Sequence, residues 1–329
     1  MPKQKITILG AGQFGTALAW LLGQQGQEVL IYTSSPAKAD SINHDHLNQS
    51  VFADLVLPDC VQASTDWQIA AQGQNLLICA LPVQSIRAFL QSHPRPEDKP
   101  VCFVSLSKGL ETDTGYSVEQ IVRQVWGENI VYGALSGPNF ASEIVRQVPT
   151  ASVFASRDED LRNRVQDLIS NEHFRLYTSD DAVGVEIAGA LKNVLAIAVG
   201  IHDSLELGHN SRAALVTRGL AEITRLVLQL GGQMETMQGL SGFGDIYLTT
   251  TSNLSRNYSL GLLIGQGIGL DHALEKDRQY GRRGWYYQFS PVSIQRAGSR
   301  NADYSGGSRD SVLWVGSDRG TQEADGEAE

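Results

Sequence analysis

Residues 5–33 read KITILGAGQFGTALAWLLGQQGQEVLIYT and decide the fold of this chain. The β-branched run KITIL leads through a glycine-rich turn into the helical pattern TALAWLLGQQG, and a second apolar run, EVLIYT, follows. A strand, a turn, a helix and a second strand within roughly 30 residues form one βαβ unit. The segment therefore predicts an α/β fold with a doubly wound, Rossmann-type parallel sheet in the N-terminal half.

Three glycines, Gly10, Gly12 and Gly15, follow the first strand at the spacing of a dinucleotide-binding fingerprint. Gly10 allows the tight turn, Gly12 lets the backbone approach a pyrophosphate, and Gly15 lets the helix pack closely on the strand. The first N–H groups of that helix then face the anion. This turn predicts a binding site for NAD or NADP.

The end of the second strand lacks the acid that usually binds the ribose of NAD. The residues there read TSSPAKAD, so that the first cation is Lys38 and the first acid is Asp40. The hydroxyl groups of Thr33, Ser34 and Ser35 can hydrogen-bond either cofactor. The choice between NAD and NADP stays open, and the missing acid favours NADP.

Further strands and a change of pattern divide the rest of the chain. Four runs predict more strands: LLICAL (76–81), VCFVSL (101–106), IVYGAL (130–135) and ASVFAS (151–156). From about Asp181 onward long helical segments replace the strands. We expect a dinucleotide-binding domain at 1–181, an all-helical substrate domain at 182–275 and an atypical tail at 276–329.

Composition limits the classes of function. The chain has 329 residues, 42% of them hydrophobic, and a formal net charge of -10, which argues against a nucleic-acid partner and favours a small molecule. Its three cysteines lack metal-type spacing and indicate a reducing compartment without a bound metal. The N-terminus enters a strand directly, and the apolar runs fall short of a membrane span. We expect a cytoplasmic protein without a membrane span, and a homodimer is left open.

The run EIAGALKNVLAIAVGI, residues 186–201, holds a single cation, Lys192, among small and aliphatic side chains. A helix of this composition is buried on most faces. Burying an unpaired ammonium group costs several kcal/mol. The lysine therefore snorkels to the surface, pairs with a carboxylate, or lines a pocket where a ligand meets it.

Polar residues follow two of the predicted strands, where ligands of such sheets bind. Lys108 lies in SLSKGL after one strand, and Gly137, Asn139 and Ala141 lie in LSGPNFASE after the next. Lys108 taken alone fits a solvated loop cation slightly better than a ligand-binding group.

A third polar block, GLSGFGDIYLTTTSNLSRNYSLG, covers residues 239–261. Asp245 follows a glycine turn, and Ser255 is placed to cap a new helix whose first turn holds Arg256 and Asn257. Free N–H groups, the helix dipole and a guanidinium fork together suit a phosphate group. The alternative is an ordinary capped helix with an exposed arginine.

Taken together, these motifs resemble one family, the NAD(P)-dependent glycerol-3-phosphate dehydrogenases of the bacterial type. The resemblance runs from residue 5 to about residue 275 and is carried by GAGQFGTALA, SKGL, SGPNFASEI, LKNVLAIAVGIHDSLELGHNSRAALVTRGLAEI and the block 239–261. It implies the reduction of dihydroxyacetone phosphate to sn-glycerol 3-phosphate, a precursor of phospholipids. A lysine whose pKa is lowered by desolvation suits this reaction, because the alkoxide that forms needs a proton.

The resemblance also assigns the site residues. Lys192 is implied as the general acid/base. The residues implied to bind substrate are Lys108, Gly137, Asn139, Lys192, Asp245, Ser255, Arg256 and Asn257. The residues implied to bind the dinucleotide are Gly10, Gly12, Gln13, Phe14, Gly15, Ser34, Lys108, Ala141 and Arg256.

The C-terminal 54 residues, from Lys276 onward, depart from the family. Only five are Val, Ile or Leu, whereas eight are Gly, eight Lys or Arg and eight Asp or Glu, a composition that cannot form helices with a buried apolar face. The segment DRQYGRRG can be encoded so that skipping one base yields Ile-Gly-Asn-Thr-Val-Glu-Gly, which is the family's pattern. We therefore expect a frameshift near Lys276 or, if the tail is genuine, weaker NADPH binding and lower stability.

Two other functions stay open from the sequence. A related dehydrogenase acting on a 3-hydroxy acid shares the architecture and a lysine between the domains, but would not depend on a substrate phosphate. A dinucleotide-binding protein that lost turnover through its altered tail would bind NADPH without oxidising it in the presence of dihydroxyacetone phosphate.

Overall fold

The computed structural model describes residues 4–72, 76–96 and 101–279. Within them eight strands form one sheet. The strands are β1 (Lys5–Leu9), β2 (Glu28–Tyr32), β3 (Val61–Ser64), β4 (Leu76–Cys79), β5 (Val101–Ser105), β6 (Ile130–Ser136), β7 (Thr150–Ser156) and β8 (Phe174–Ser179). All six predicted strands are present, and β3 and β8 are additional.

The strand order is β3-β2-β1-β4-β5-β6-β7-β8. Strands β1 to β6 run parallel, which confirms the doubly wound sheet. The sheet is mostly but not wholly parallel, because β7 is antiparallel to β6, and β8 runs parallel to β7. A parallel pairing of β6 and β7 would require a crossover that carries the chain back to the end of the sheet where β6 begins. The connection between them, residues 137–149, makes no such crossover, so β7 runs antiparallel to β6.

Helices cover both faces of the sheet. Those that follow its strands are α1 (Gln13–Gln24), α2 (Pro36–Asp45), α3 (Trp67–Ala71), α4 (Val83–Ser92), α5 (Val118–Trp126), α6 (Ala141–Ile144) and α7 (Glu159–Ile169). One core packs α1, α2 and α7 against the sheet around residues such as Ile8 and Leu22, and the other packs α4 and α5 around Leu77 and Phe103. The sheet is thus buried on both faces, as its continuous apolar strands predict.

The second half is helical, as predicted. Its elements are α8 (Ala182–Ser204), α9 (His209–Gln229), α10 (Met234–Gln238), a π-helical turn (Leu240–Gly244), α11 (Asp245–Thr251), α12 (Arg256–Gly265) and α13 (Leu270–Gln279). Helix α8 is central, since it contacts α9, α11 and α12 as well as β6. Its length and mean hydropathy of 1.7 would suit a membrane span, but 78% of its most apolar window is buried inside the protein.

Buried polar contacts join α8 to the rest of the protein. Asp181 caps the helix by accepting from the N–H of Gly184 at 2.8 Å. Farther along, the hydroxyl of Tyr132 on β6 donates to Glu186 at 2.5 Å. Burial raises the pKa of Glu186 to about 7, although the bond from Tyr132 favours the ionised form. The bond between Tyr132 and Glu186 joins α8 to the sheet.

The predicted tail from Lys276 is described only as far as Gln279, within the backbone of α13. The remainder of the tail lies outside the described residues, so the frameshift stays a prediction. The predicted boundaries at 181 and 275 stay predictions too, although α8 begins at Ala182.

Candidate active site

The glycine turn after β1 has the geometry that its spacing predicts. Gly10 has φ +105°, a conformation that favours glycine, and a Cβ at Gly15 would overlap the carbonyl oxygen of Gly10. A Cβ at Gly12 would meet no atom within 4 Å, so the backbone there faces open space. Helix α1 begins without a side-chain cap and without an acid in its first turn. These residues fit the pyrophosphate of a dinucleotide.

The other residues predicted to bind the dinucleotide lie along the same edge of the sheet. Gln13 is exposed and Phe14 half-buried in the first turn of α1, and Ser34 is exposed after β2. Ala141 is the first residue of α6, after β6. Parallel strands bring their carboxyl ends to one edge, so all four positions lie at the same edge of the sheet.

Lys108 lies three residues after β5 and meets the loop after β6. Its Nζ donates to the carbonyl oxygen of Gly137 at 3.2 Å and lies 3.4 Å from Oδ1 of Asn139. The amide of Asn139 in turn donates to the hydroxyl of Ser152 at 2.8 Å. Lys108 is therefore not a solvated loop cation, because β5 and β6 are neighbours and their loops pack together.

Lys192 is buried and paired with a carboxylate. It is 7% exposed, and its Nζ donates to Oδ1 of Asp245 at 2.5 Å and to Oγ1 of Thr249 at 2.9 Å. The other carboxylate oxygen of Asp245 accepts from Nζ of Lys108 at 2.7 Å and from the hydroxyl of Ser136 at 3.3 Å. One buried carboxylate thus bridges two lysines, and the snorkelling alternative for Lys192 was wrong.

Burial and charge set the protonation of this cluster. Burial lowers the pKa of Lys192 to about 7; Asp245 opposes this shift and Lys108 adds to it. Burial would raise the pKa of Asp245, but the ammonium groups of Lys108 and Lys192 outweigh that effect and lower it. The carboxyl group is therefore ionised at neutral pH while Lys192 exchanges a proton there.

The π-helical turn before α11 positions Asp245. A Cβ at Gly242 would overlap the backbone of Met237, so the turn packs directly on α10 and delivers Asp245 as the first residue of α11. Such π turns often occur at functional sites. Thr249, one helical turn after Asp245, and Ser136 were not among the predicted site residues; the spacing of four from Asp245 could have indicated Thr249.

The predicted phosphate receptor lies at the start of α12. Ser255 caps the helix, its hydroxyl accepting from the N–H of Tyr258 at 3.3 Å, and Arg256 and Asn257 form the first turn. The side-chain oxygen of Asn257 is buried without a hydrogen-bond partner among the described residues. Rotation of the amide would present its NH₂ group instead, a donor suited to phosphate.

Close packing of α12 on α8 sets the distance between this helix start and Lys192. A Cβ at Gly261 would overlap the carbonyl oxygen of Ile197, and one at Gly265 would overlap Ser204. The two helices therefore run in the same direction, with 261 level with 197 and 265 level with 201–204. The start of α12, one turn before Gly261, therefore lies toward the N-terminal side of this contact along α8, which is the direction of Lys192.

The cluster offers ammonium groups and a carboxylate but no metal-binding set. Among the described residues no group of three or more His, Cys, Asp or Glu side chains is placed to hold a metal ion. With Lys192 protonated, its charge and that of Lys108 exceed the charge of Asp245 by one. The site therefore attracts an anionic ligand and can deliver a proton to it.

Comparisons with known proteins agree with this geometry. Two family models match, one described as the N-terminus of NAD-dependent glycerol-3-phosphate dehydrogenase over residues 5–162 and one as its C-terminus over residues 181–285. Glycerol-3-phosphate dehydrogenase [NAD(P)+] of Lysinibacillus sphaericus is 42% identical over 275 residues, 83% of this chain and 81% of that protein. The protein of the same name from Nitratidesulfovibrio vulgaris (strain DP4) is 43% identical over 269 residues, 81% of each chain.

The fold is also similar to solved structures. The crystal structure of glycerol-3-phosphate dehydrogenase from Coxiella burnetii matches with a TM-score of 0.79 at 33% identity, over 85% of this chain and 87% of that chain. The match covers both the sheet and the helical half.

Proposed function

The chain belongs to the NAD-dependent glycerol-3-phosphate dehydrogenase family and is an NAD(P)-dependent dehydrogenase of glycerol 3-phosphate, and on that premise we propose that Lys192 is its proton-transferring group. The observation that carries the proposal is the burial of Lys192 against Asp245 and Thr249, beside the loops after β5 and β6. The reaction reduces dihydroxyacetone phosphate to sn-glycerol 3-phosphate, and we propose that it supplies phospholipid synthesis.

Each residue has a distinct part in this proposal. A nicotinamide cofactor, when bound, would supply the hydride chemistry at C2 of the substrate. Lys192 donates a proton to the oxygen that becomes the hydroxyl, and in reverse its neutral amine takes that proton. Asp245 keeps the amine in place, and Lys108 adds positive charge where negative charge develops on the oxygen. Gly137 and Asn139 position the ammonium group of Lys108 by accepting hydrogen bonds from it.

The phosphate group of the substrate binds, in this proposal, at the N-terminus of α12. The helix N-terminus, Arg256 and the amide of Asn257 are the donors there, and Ser255 holds the first turn in shape by capping it. Helix packing sets the separation between this receptor and Lys192. The active site would thereby select a three-carbon phosphate over a free 3-hydroxy acid.

The pH dependence of kcat/KM tests the assignment of Lys192. Because burial lowers the pKa of Lys192 to about 7, its ammonium form is lost as the pH rises through 7. Reduction needs that form, so kcat/KM for dihydroxyacetone phosphate should fall above pH 7; oxidation needs the neutral amine and should rise to a plateau there. Initial rates of NADPH oxidation and of NADP reduction should therefore give two pH profiles of kcat/KM that change in opposite directions around the same pKa. Identical profiles in both directions would refute the assignment.

Arg256→Gln tests the phosphate receptor. We expect KM for dihydroxyacetone phosphate to rise about a hundredfold with little change in kcat, because the contact is made equally in the ground state and the transition state. Dihydroxyacetone without its phosphate should react equally slowly with both proteins. Arg225→Gln, at an exposed position of α9, is the matched control. An equal loss with and without the substrate phosphate would favour the rival 3-hydroxy acid dehydrogenase.

We further propose that the protein is cytoplasmic. Its cysteines, Cys60, Cys79 and Cys102, are free thiols, as a reducing compartment favours. The homodimer considered from the sequence stays a prediction.

A further inference from the structure

A second polar cluster lies in the helical half, apart from the two lysines and Asp245. Its centre is Asp203, the penultimate residue of α8. The Oδ2 atom of Asp203 accepts from the hydroxyl of Tyr258 at 2.8 Å and lies 3.1 Å from Nε of Arg212, near the start of α9. Tyr258 is buried, and Asp203 and Arg212 are half-buried. One carboxylate oxygen thus joins α8, α9 and α12.

Arg212 also holds the end of α11. Its Nη2 donates to the carbonyl oxygen of Thr250 at 2.7 Å, and α11 ends at Thr251. The last carbonyl groups of a helix have no partner within that helix, so the guanidinium group satisfies one of them. The ion pair with Asp203 compensates the charge of Arg212, which allows this cation to be half-buried at the helix end.

Tyr258 holds the start of α12. It lies in the first turn of the helix, directly after the two residues assigned to the substrate phosphate. Its N–H donates to the capping hydroxyl of Ser255 at 3.3 Å, while its own hydroxyl reaches Asp203. The connection from Thr250 to Tyr258 contains the proposed phosphate receptor. Both ends of this connection are therefore tied to one carboxylate group.

We infer that Asp203 positions the phosphate receptor, acting through Arg212 and Tyr258 without touching the substrate. The inference rests on the proposed function and deepens it. Asp203 and Lys192 lie on the same helix, so the cluster ties the phosphate donors to the helix that carries the proton-transferring amine. The phosphate and C2 of the substrate are a short covalent distance apart, and catalysis requires the two parts of the site to keep a matching separation.

Tyr258→Phe tests the inference, because it removes only the hydroxyl that reaches Asp203 and keeps the buried ring. We expect KM for dihydroxyacetone phosphate to rise about tenfold with kcat within about threefold, since the donors of the receptor lose their fixed placement. Turnover of dihydroxyacetone without its phosphate should change by less than about threefold. Tyr132→Phe is the matched control, because it removes a buried hydroxyl that donates to another carboxylate, that of Glu186. The control should lower stability without this phosphate-specific rise in KM.

Arg212→Gln breaks the other arm of the cluster and should also raise KM about tenfold. The double variant, Arg212→Gln with Tyr258→Phe, should raise KM by less than the product of the two single effects, because both changes act through one carboxylate. Effects that multiply fully would show that Arg212 and Tyr258 act independently, and would overturn the role of Asp203.

Two further measurements identify the cause of a negative result. NADPH binding, followed by fluorescence, should stay within about threefold in every variant, which shows that the variants fold. An unchanged KM in Tyr258→Phe, or an equal loss with dihydroxyacetone, would overturn the inference. Arg256→Gln, assayed alongside, separates the two proposals. If it alone raises KM for the phosphate substrate, only the positioning role fails; if neither variant does, the phosphate receptor itself is wrongly assigned.

Discussion

Replacing Lys192 by alanine should lower turnover of dihydroxyacetone phosphate by at least about a thousandfold. The variant loses both the proton donor and the positive charge nearest the reacting oxygen. It should still fold, because Asp245 keeps its ion pair with Lys108 at 2.7 Å. NADPH binding should stay within about threefold of the unmodified value, since the glycine turn is untouched. Steady-state rates and NADPH fluorescence titrations measure the two effects separately.

Two further variants make this test specific. Lys192→Met fills the space of the lysine stem, whereas Lys192→Ala leaves a cavity that a small alkylamine can enter. Added methylamine should therefore restore part of the turnover of the alanine variant and none of that of the methionine variant. Turnover of either variant within about tenfold of normal would end the assignment of Lys192 as the acid/base.

Asp245→Asn should damage stability and catalysis together. Removing one partner of a buried ion pair costs about 3–5 kcal/mol, and here two ammonium groups, those of Lys108 and Lys192, would face a neutral amide. Asp245 opposes the effect of burial on the pKa of Lys192, so the variant should lower that pKa further below 7. The fall of kcat/KM in the reduction direction should move to lower pH. Thermal unfolding and the pH profile measure the two consequences.

Thr249→Val provides the matched control for the charge. It removes the neutral bond from Lys192 to the hydroxyl at 2.9 Å but keeps the carboxylate and the shape. The variant should lower the free energy of unfolding by about 0.5–1.5 kcal/mol. The fall of kcat/KM in the reduction direction should stay close to pH 7. If the fall of kcat/KM occurs at the same pH in Asp245→Asn as in the unmodified protein, the carboxylate does not set the protonation of Lys192.

Local sequence was sufficient where one element specifies its own conformation. The six predicted strands and the glycine turn were found because apolar runs and glycine spacing act over a few residues. Strand β3 reads VQAS and gives too short a pattern to recognise. Strand β8 reads FRLYTS and alternates clearly, with Phe174 and Leu176 buried, but it immediately precedes the helical half and was missed. The reversal at β7 depends on a connection whose path no local pattern predicts.

The active site divides in the same way. Residues 186–201 alone predicted a helix that is buried on most faces, because the neighbours of Lys192 are apolar at every helical angle. They left open whether Lys192 reaches the surface, pairs with a carboxylate or lines a pocket. The identity of the compensating group was not local. Asp245 lies 53 residues farther along the chain and Lys108 lies 137 residues before Asp245. The contacts of Thr249 and Ser136 depend on the packing of α11 and β6 beside α8, which no local pattern predicts.

The amino-acid sequence by itself therefore determined the N-terminal βαβ unit, the apolar surroundings of Lys192 and the helical character of the second half. Tertiary structure alone decided that this lysine shares a carboxylate with Lys108 and that its pKa falls to about 7. The physical reason is range. Backbone preference and amphipathic periodicity act between near neighbours, whereas desolvation and ion pairing depend on which distant segments the sheet and helices bring within a few ångströms.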